Sequence, residues 1–406
     1  MNAAPTSTPT ALTFADALAP VSVETFLAEY WCQTILRVPG YPGKFASIMP
    51  WAELERILEQ HHLGPPKLEL FQNGKSLPPE RYLTKRRSTQ MINSAGLISA
   101  LSGGASLVLQ SVDDLTPGAR VFTESLEQSL QLYCRTHLFA AWRKQNAFNL
   151  HYDRWSVFVV QIAGRKRWKV YRPTLPYPLK DDLTLPAPKP TEAPVWEGVL
   201  EDGDMLYMPR GWWHEAVPED GLSLHISFSL DPSNGVDLLH WLADQLGCHE
   251  EMRMDLPHLA GPEGQQRRLA RLRELVTEAL QGRVIGDCLA AQETKYAPRP
   301  RVHLDQITPQ GLTLTLDTHV RLTTARRLAF DRLDLAAGPI VSFSVGTKQM
   351  KCARALVPAL ETLGPDAVSV RDLCGRLTNP AAATQLKLFL AAMATGGILA
   401  TEPDTK

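Results

Sequence analysis

The chain has 406 residues, a formal charge of −1 and 44% hydrophobic residues. This length suits two or three domains, the charge balance argues against nucleic-acid binding through overall charge, and no run of about 18 apolar residues offers a membrane span. Six scattered cysteines (Cys32, Cys134, Cys248, Cys288, Cys352, Cys374) form no CxxC pair, which argues against a disulfide framework or a structural zinc site and fits a reducing cytoplasm.

The start, "MNAAPTSTPTALTF", has neither the basic head nor the apolar core of a secretory signal, so residues 1–18 are expected to be a flexible tail. "VSVETFLAEYW" reads as a short helix, "TILRV" as a strand and "PWAELERILEQ" as a helix with Pro50 at its start. "SAGLISALSGGASLVLQSV" gives a helix, a Gly-Gly stop and a strand; "FTESLEQSLQL" gives a helix, and "LQLYCR" the strand after it. From about 147 to 230 short alternating runs are separated by Gly, Pro and Asp, the pattern of an antiparallel barrel or sandwich. Residues 173–194 are a proline-rich loop.

After "DPSNG" the pattern becomes helical over 236–290, where Leu269, Leu272, Val276 and Leu280 form a stripe that suits either a core face or a dimer contact. Strand-like alternation returns over 301–345. Helix-like blocks at 352–363, 369–377 and 381–396, then "GGILA", give the element order of a winged-helix module. "QLKLFLAAMA" is too apolar for a groove-reading helix, so protein packing is expected there rather than DNA contact.

The chemistry concentrates in "FNLHYDRWSVFVVQIAGRKRWKVY". His151 and Asp153, at i and i+2 of a strand, point to one face. A His-x-Asp pair with a second His far downstream is the sequence form of a two-histidine, one-carboxylate metal site that leaves coordination positions open. His214 in "PRGWWHEA" and His225 in "LSLHISFSL" both qualify; His214 is favoured because a strand edge at a barrel mouth delivers a ligand to an open site. His225 then belongs, with Ser227, to a polar cavity face made by alternate residues of its strand. In "GRKRWKVY" the parity that holds Trp168 and Val170 also holds Lys166. A buried ammonium needs an anion, and a dicarboxylate co-substrate would supply one; a lysine that reaches out to solvent is the alternative.

The stretch "HYD…VFVVQIAGRKRWKVY…LEDGDMLYMPRGWWHEA", preceded by "VETFLAEYWCQTILRVPG", "PWAELERIL" and "GGASLVLQSV", resembles the JmjC-type cupin oxygenases that use Fe(II), 2-oxoglutarate and O2, and within them the ribosomal oxygenases. The resemblance implies an α+β chain: a double-stranded β-helix (jelly-roll, cupin) barrel over 19–235, a helical dimerisation segment over 236–295 and a winged-helix-like domain over 296–406. It implies His151, Asp153 and His214 as Fe(II) ligands, Lys166 as the seat of the distal carboxylate of 2-oxoglutarate, and Tyr133 and Gln131 as co-substrate contacts, Gln131 standing where the family has Asn. The loop over 137–149, longer and more aromatic and basic than the family's, would border the substrate entrance. Trp155, Arg154, Arg143 and Trp213 are substrate-binding candidates beside ordinary packing or surface roles, and His225 and Ser227 would support the ligands. The expected activity is side-chain hydroxylation of a protein of the ribosomal class by a cytoplasmic homodimer with no membrane or direct nucleic-acid contact. A hydroxylase of a small peptide or natural product, and a non-catalytic cupin adaptor, are the rival readings; demethylation of N-methyl-lysine uses the same iron chemistry.

Overall fold

Residues 156–163, Ser-Val-Phe-Val-Val-Gln-Ile-Ala, are apolar on both parities because their strand is covered on both faces: Phe158 and Val160 pack outward among helices, Val157 and Val159 inward. The computed structural model describes residues 12–86, 88–179, 182, 187–282, 284–293, 296–328, 330, 339–345 and 348–402. It divides into two compact units, Met1–Asp231 and Pro232–Lys406.

In the first unit the helices are α1 (Phe14–Leu18), α2 (Val23–Glu29), α3 (Trp51–Gln60), α4 (Ser94–Ser102) and α5 (Pro117–Leu130). The strands are β1 (Leu36–Val38), β2 (Leu68–Gln72), β3 (Lys75–Ser76), β4 (Leu83–Arg86), β5 (Thr89–Ile92), β6 (Ser106–Gln110), β7 (Cys134–Ala141), β8 (His151–Tyr152), β9 (Ser156–Tyr171), β10 (Trp196–Leu200), β11 (Met205–Met208) and β12 (Trp213–Leu230). One sheet runs β1-β11-β9-β12-β7-β6-β2-β3, using the first half of β9 and the second half of β12. The other halves of the same two strands pair with each other, with β10 on one side and β8 on the other. The result is a double-stranded β-helix, its outer face packed by Phe14, Phe26 and Phe122. Phe14 meets Phe158 edge-on at 5.1 Å, and Phe122 meets Phe228 at 5.0 Å.

Residues 148–171 thus hold the two-residue β8 and the 16-residue β9. Gly164 lies where β9 passes from one sheet to the other. Its φ is +70°, and a Cβ there would lie 1.8 Å from the Leu222 carbonyl oxygen. Gly164→Ala is therefore expected to lower the unfolding free energy by more than about 3 kcal/mol, a loss that thermal or urea unfolding would read directly.

Three expectations are corrected in this unit. Residues 1–11 lie outside the described residues, but the supposed tail is ordered from α1 onward: Thr13 and Asp16 form a capping box, and Phe14, Ala17 and Leu18 are buried. Residues 137–141 of the supposed loop belong to β7, which pairs with both β6 and β12. Gln131 and Tyr133 precede that strand; Gln131 caps α5 in the left-handed conformation (φ +53°).

In the second unit, Gly235–Leu246, Glu250–Arg253, Gly261–Ala279 and Val284–Glu293 are helices, joined by a small core of Leu242, Leu246 and Leu275. Leu269 and Leu280 of the expected stripe are 48% and 44% exposed. Beyond the helices, His319–Leu322 pairs with Val368–Ser369 and Leu399–Glu402, and Ile340–Val345 pairs with Lys348–Ala353. The helix expected over 352–363 is shorter: residues up to 353 are strand and the α-helix is Val357–Leu360. Helices Val370–Gly375 and Ala383–Thr395 lie close to their expected places, packing Leu373, Leu386 and Leu390 inward. All six cysteines are free thiols. Among the described residues no helix is long and apolar enough to cross a membrane.

Candidate active site

Pairing of β8 with the first residues of β12 sets His151 directly opposite His214, with their rings 4.4 Å apart. Asp153, two residues after His151, projects to the same side, and its Oδ2 lies 3.6 Å from His214 Nε2. One donor atom from each of the three falls within 4.8 Å of the other two. Each imidazole is oriented from behind: His151 Nδ1 lies 2.8 Å from the Asn149 carbonyl oxygen and His214 Nδ1 lies 3.1 Å from that of Trp212. Bonding of Nδ1–H to a carbonyl leaves the Nε2 lone pair free for a metal. Burial, and next the neighbouring His151 ring, push His214 well below the ordinary imidazole range, so it is a neutral donor. Two imidazoles and a carboxylate at this spacing suit a divalent first-row metal such as Fe(II), with sites left open on the far side. Gly211 helps fix the carboxylate's backbone by donating its N–H to the Asp153 carbonyl at 2.7 Å.

These residues open into a cavity of about 360 Å³ between the two sheets. Lys166 lies on its wall, buried, 3.4 Å from His225 Nδ1 and 5.9 Å from the centre of the Trp168 ring. Outward residues of the same strand have their acids: Arg165 pairs with Glu201 at 3.0 Å, Arg167 with Glu219 at 2.9 Å and Lys169 with Glu215 at 3.7 Å. Lys166 has no such carboxylate among the described residues, and burial lowers its amine to about 7. His225 is held far below its usual range by burial and then by the Lys166 charge. Trp168 stands between the two groups, 6.0 Å from the His214 ring and 5.7 Å from that of His225.

Among the other candidates, Trp155 and Ser227 line the cavity. Arg154 lies 4.8 Å from the Trp155 ring centre and pairs with Asp231 at 3.3 Å. Arg143 is turned elsewhere, its Nε donating to the Ser102 carbonyl at 3.0 Å. Trp213 has the opposite parity to His214; it packs edge-on against Tyr152 at 4.8 Å and donates Nε1–H to Thr174. Gln131 and Tyr133 are outside the cavity lining. In their stead the cavity wall takes His137 and Phe139 from β7 and Gln110 from β6. No polar–apolar alternation marked His137 and Phe139, and the loop expected over 137–149 concealed them. Burial pushes His137 down, and the charge of Asp153 opposes this.

Comparison with known proteins agrees with this architecture. Residues 117–238 match the JmjC domain family. The chain is 30% identical over 229 residues to human ribosomal oxygenase 1, covering 52% of this chain and 33% of that protein. It is 27% identical over 233 residues to the bifunctional lysine-specific demethylase and histidyl-hydroxylase NO66 of Drosophila persimilis, covering 53% and 31%. The chain thus spans about a third of the length of these relatives. The fold matches that of YcfD, a ribosomal oxygenase from Escherichia coli solved with cobalt and 2-oxoglutarate: TM-score 0.57, 18% identity, 95% of this chain and 99% of that one.

Proposed function

We propose that this chain, whose residues 117–238 match the JmjC domain family, is an Fe(II)- and 2-oxoglutarate-dependent oxygenase that hydroxylates a side chain of a protein, with ribosomal proteins as the substrate class. One observation carries the reading: three convergent metal donors share a cavity with a buried ammonium that no carboxylate of the described residues neutralises. The names of human ribosomal oxygenase 1 and of YcfD support the substrate class.

His151, Asp153 and His214 would hold the iron, and Lys166 the distal carboxylate of 2-oxoglutarate. With both bound, the site supplies oxidation of an unactivated C–H bond by O2, releasing succinate and CO2. The chain's own part is positional. Carbonyls of Asn149 and Trp212 fix the imidazole tautomers, and Asp153 offsets charge at the centre. Val157, Val159 and Met208 on the cavity wall keep water from the reacting groups. Trp155, a residue of the cavity wall with Arg154 against its ring, would meet a substrate side chain.

The deciding measurement is succinate release from 2-oxoglutarate with Fe(II) and ribosomal proteins, paired with intact-mass analysis of those proteins. Gain of the mass of one oxygen atom on a single protein supports the reading; succinate formation stimulated only by small peptides or metabolites replaces the substrate class.

The reading extends to the rest of the chain: a catalytic domain over 19–235, a dimerisation segment over 236–295 and a winged-helix-like domain over 296–406, in a cytoplasmic homodimer. Exposed Leu269 and Leu280 support the dimer. Leu269→Glu with Leu280→Glu is expected to convert dimer to monomer in sedimentation, weakening association by at least about 100-fold, while the metal-dependent thermal shift persists.

A further inference from the structure

Between Glu69 and Asp113 the sequence has five basic residues and a single acid, Glu80, in a chain whose total charge is −1. Three of the five fall in residues 84–90, Thr-Lys-Arg-Arg-Ser-Thr-Gln, a run with no acid and no apolar side chain. Each side chain of the run can donate a hydrogen bond. A near-neutral chain can still carry a patch of one sign, and such a patch attracts the opposite charge locally.

The fold keeps this run out of the main sheet. β4 and β5 form a two-stranded sheet of their own, with Leu83 opposite Ile92 at the root and Arg86 opposite Thr89 at the far end. The root is fixed: Tyr82 and Leu83 are buried, the Tyr82 hydroxyl donates to the Leu68 carbonyl at 3.4 Å, and the Asn93 N–H donates to the Tyr82 carbonyl at 2.9 Å. Beyond the root, Lys85, Arg86 and Ser88 are exposed; Arg87 lies outside the described residues. Neither Lys85 nor Arg86 forms an ion pair with a described residue. Exposed cations elsewhere have carboxylates, Arg56 with Glu53 at 2.7 Å and Arg271 with Glu251 at 2.8 Å. A protein partner would need apolar surface at the centre of its contact, and the outer rungs offer none. A nucleic-acid backbone needs only what they do offer, since Lys, Arg, Ser and Thr side chains are the usual donors to phosphate oxygens.

We propose that the β4–β5 hairpin is an RNA-docking arm: the Lys85 ammonium and the Arg86 guanidinium pair with phosphates of an RNA backbone, and the Ser88 and Thr89 hydroxyls donate to the oxygens beside them, without reading the bases. RNA is the polyanion that a ribosomal protein brings with it, so the use of the arm rests on the substrate class proposed above, while the contact itself does not. Leu68, on which the root is hung, begins β2, and the next residue, Glu69, lines the cavity with Phe71. The arm thus grows from a strand that forms one side of the site, and RNA held on it tethers its protein there. The protein substrate is then engaged at two places, one chemical and one electrostatic.

The test is fluorescence anisotropy of the full chain with a labelled single-stranded RNA of mixed sequence, repeated over a series of KCl concentrations. Two phosphates neutralised on a single strand contribute a slope of about −1.4 to log affinity against log salt. Lys85→Gln with Arg86→Gln is expected to remove that part of the slope and to weaken binding by at least about 10-fold at low salt. Lys85→Arg with Arg86→Lys keeps both charges and should bind as the native chain does. Both positions are exposed, so the unfolding midpoint should not move in either variant. As a measurement that needs no variant, the RNA should protect Lys85 of the native chain from acetylation, read by peptide mass. No RNA binding by the native chain overturns the inference, as does native affinity in the Lys85→Gln, Arg86→Gln protein, which would leave the charges only the task of keeping a free strand edge unpaired. Labelled poly-glutamate bound as tightly as the RNA would give the arm to an acidic protein instead, and DNA of the same sequence bound more tightly would displace RNA as its partner; either result overturns the inference. The assay needs neither metal nor 2-oxoglutarate, so these failures leave the oxygenase reading standing. Absence of succinate release would sink that reading and leave the RNA contact in place.

Discussion

Asp153→Ala is expected to abolish succinate production and to weaken divalent-metal binding by at least about 100-fold, more than the 10- to 100-fold usual for losing a group behind a ligand. The carboxylate is the only anionic member of the donor set, and without it two neutral imidazoles face a dication alone. The fold should not suffer. Asp153 is partly exposed, and the bond that holds its segment is made by its backbone carbonyl to Gly211, which alanine keeps. Thermal unfolding read with and without Mn(II) separates the two effects: the metal-free midpoint should stay within the change that about 0.5 kcal/mol brings, while the metal-induced rise seen in the native chain disappears. A variant that keeps that rise would remove Asp153 from the ligand set.

Lys166→Met should have the second-largest effect, and of two signs. Removing one partner from a buried, hydrogen-bonded charge pair costs 2–5 kcal/mol, which is about 30- to 4000-fold in 2-oxoglutarate affinity. The ligand-free protein should instead become more stable. Lys166 titrates near 7 in the fold and at its ordinary value of 10.5 in the unfolded chain. Between those values the unfolded chain binds more protons, so stability rises with pH over that window, and the cost of burying the ammonium is fully present below about 7. At pH 6.5 Lys166→Met should therefore unfold later than the native chain, by on the order of 1–4 kcal/mol, with the advantage shrinking as pH approaches 10. Binding has the opposite slope. A dicarboxylate pairs with the ammonium form, so this group leaves affinity flat below about 7 and weakens it by up to about tenfold per pH unit above. Calorimetry across pH 6 to 9 would show that slope in the native chain and its loss in the variant.

The metal donors were legible because strand period and ligand spacing coincide: His151 and Asp153 are two apart beside an apolar strand, and a second His follows far downstream. Lys166 was legible for the same reason, sharing the parity of Trp168 and Val170. His137 was not. Both faces of β7 are partly covered, Leu138 and Ala140 by the outer core and His137 and Phe139 by the cavity, so no alternation of polar and apolar marks the strand. The polar strand Lys348–Ala353 was missed because only Cys352 in it is buried; its conformation comes from pairing with Ile340–Val345, a partner that local pattern does not reveal. For Trp213 both a groove role and packing were open, and the structure gives packing, because one step along a strand from His214 turns a side chain to the other face.

β9 and β12 each run unbroken through both sheets, with Lys166 opposite Pro218 and Val170 opposite His214. From 214 to 218 is four residues, roughly 13 Å of extended backbone, with no loop in between to take up slack. The interval between the cation and the metal seat is thus a rigid caliper, set by covalent geometry and the pairing ladder. Among homologous keto diacids it should grade by length alone: oxaloacetate, one methylene short, cannot close both jaws, and 2-oxoadipate, one methylene long, must buckle to enter.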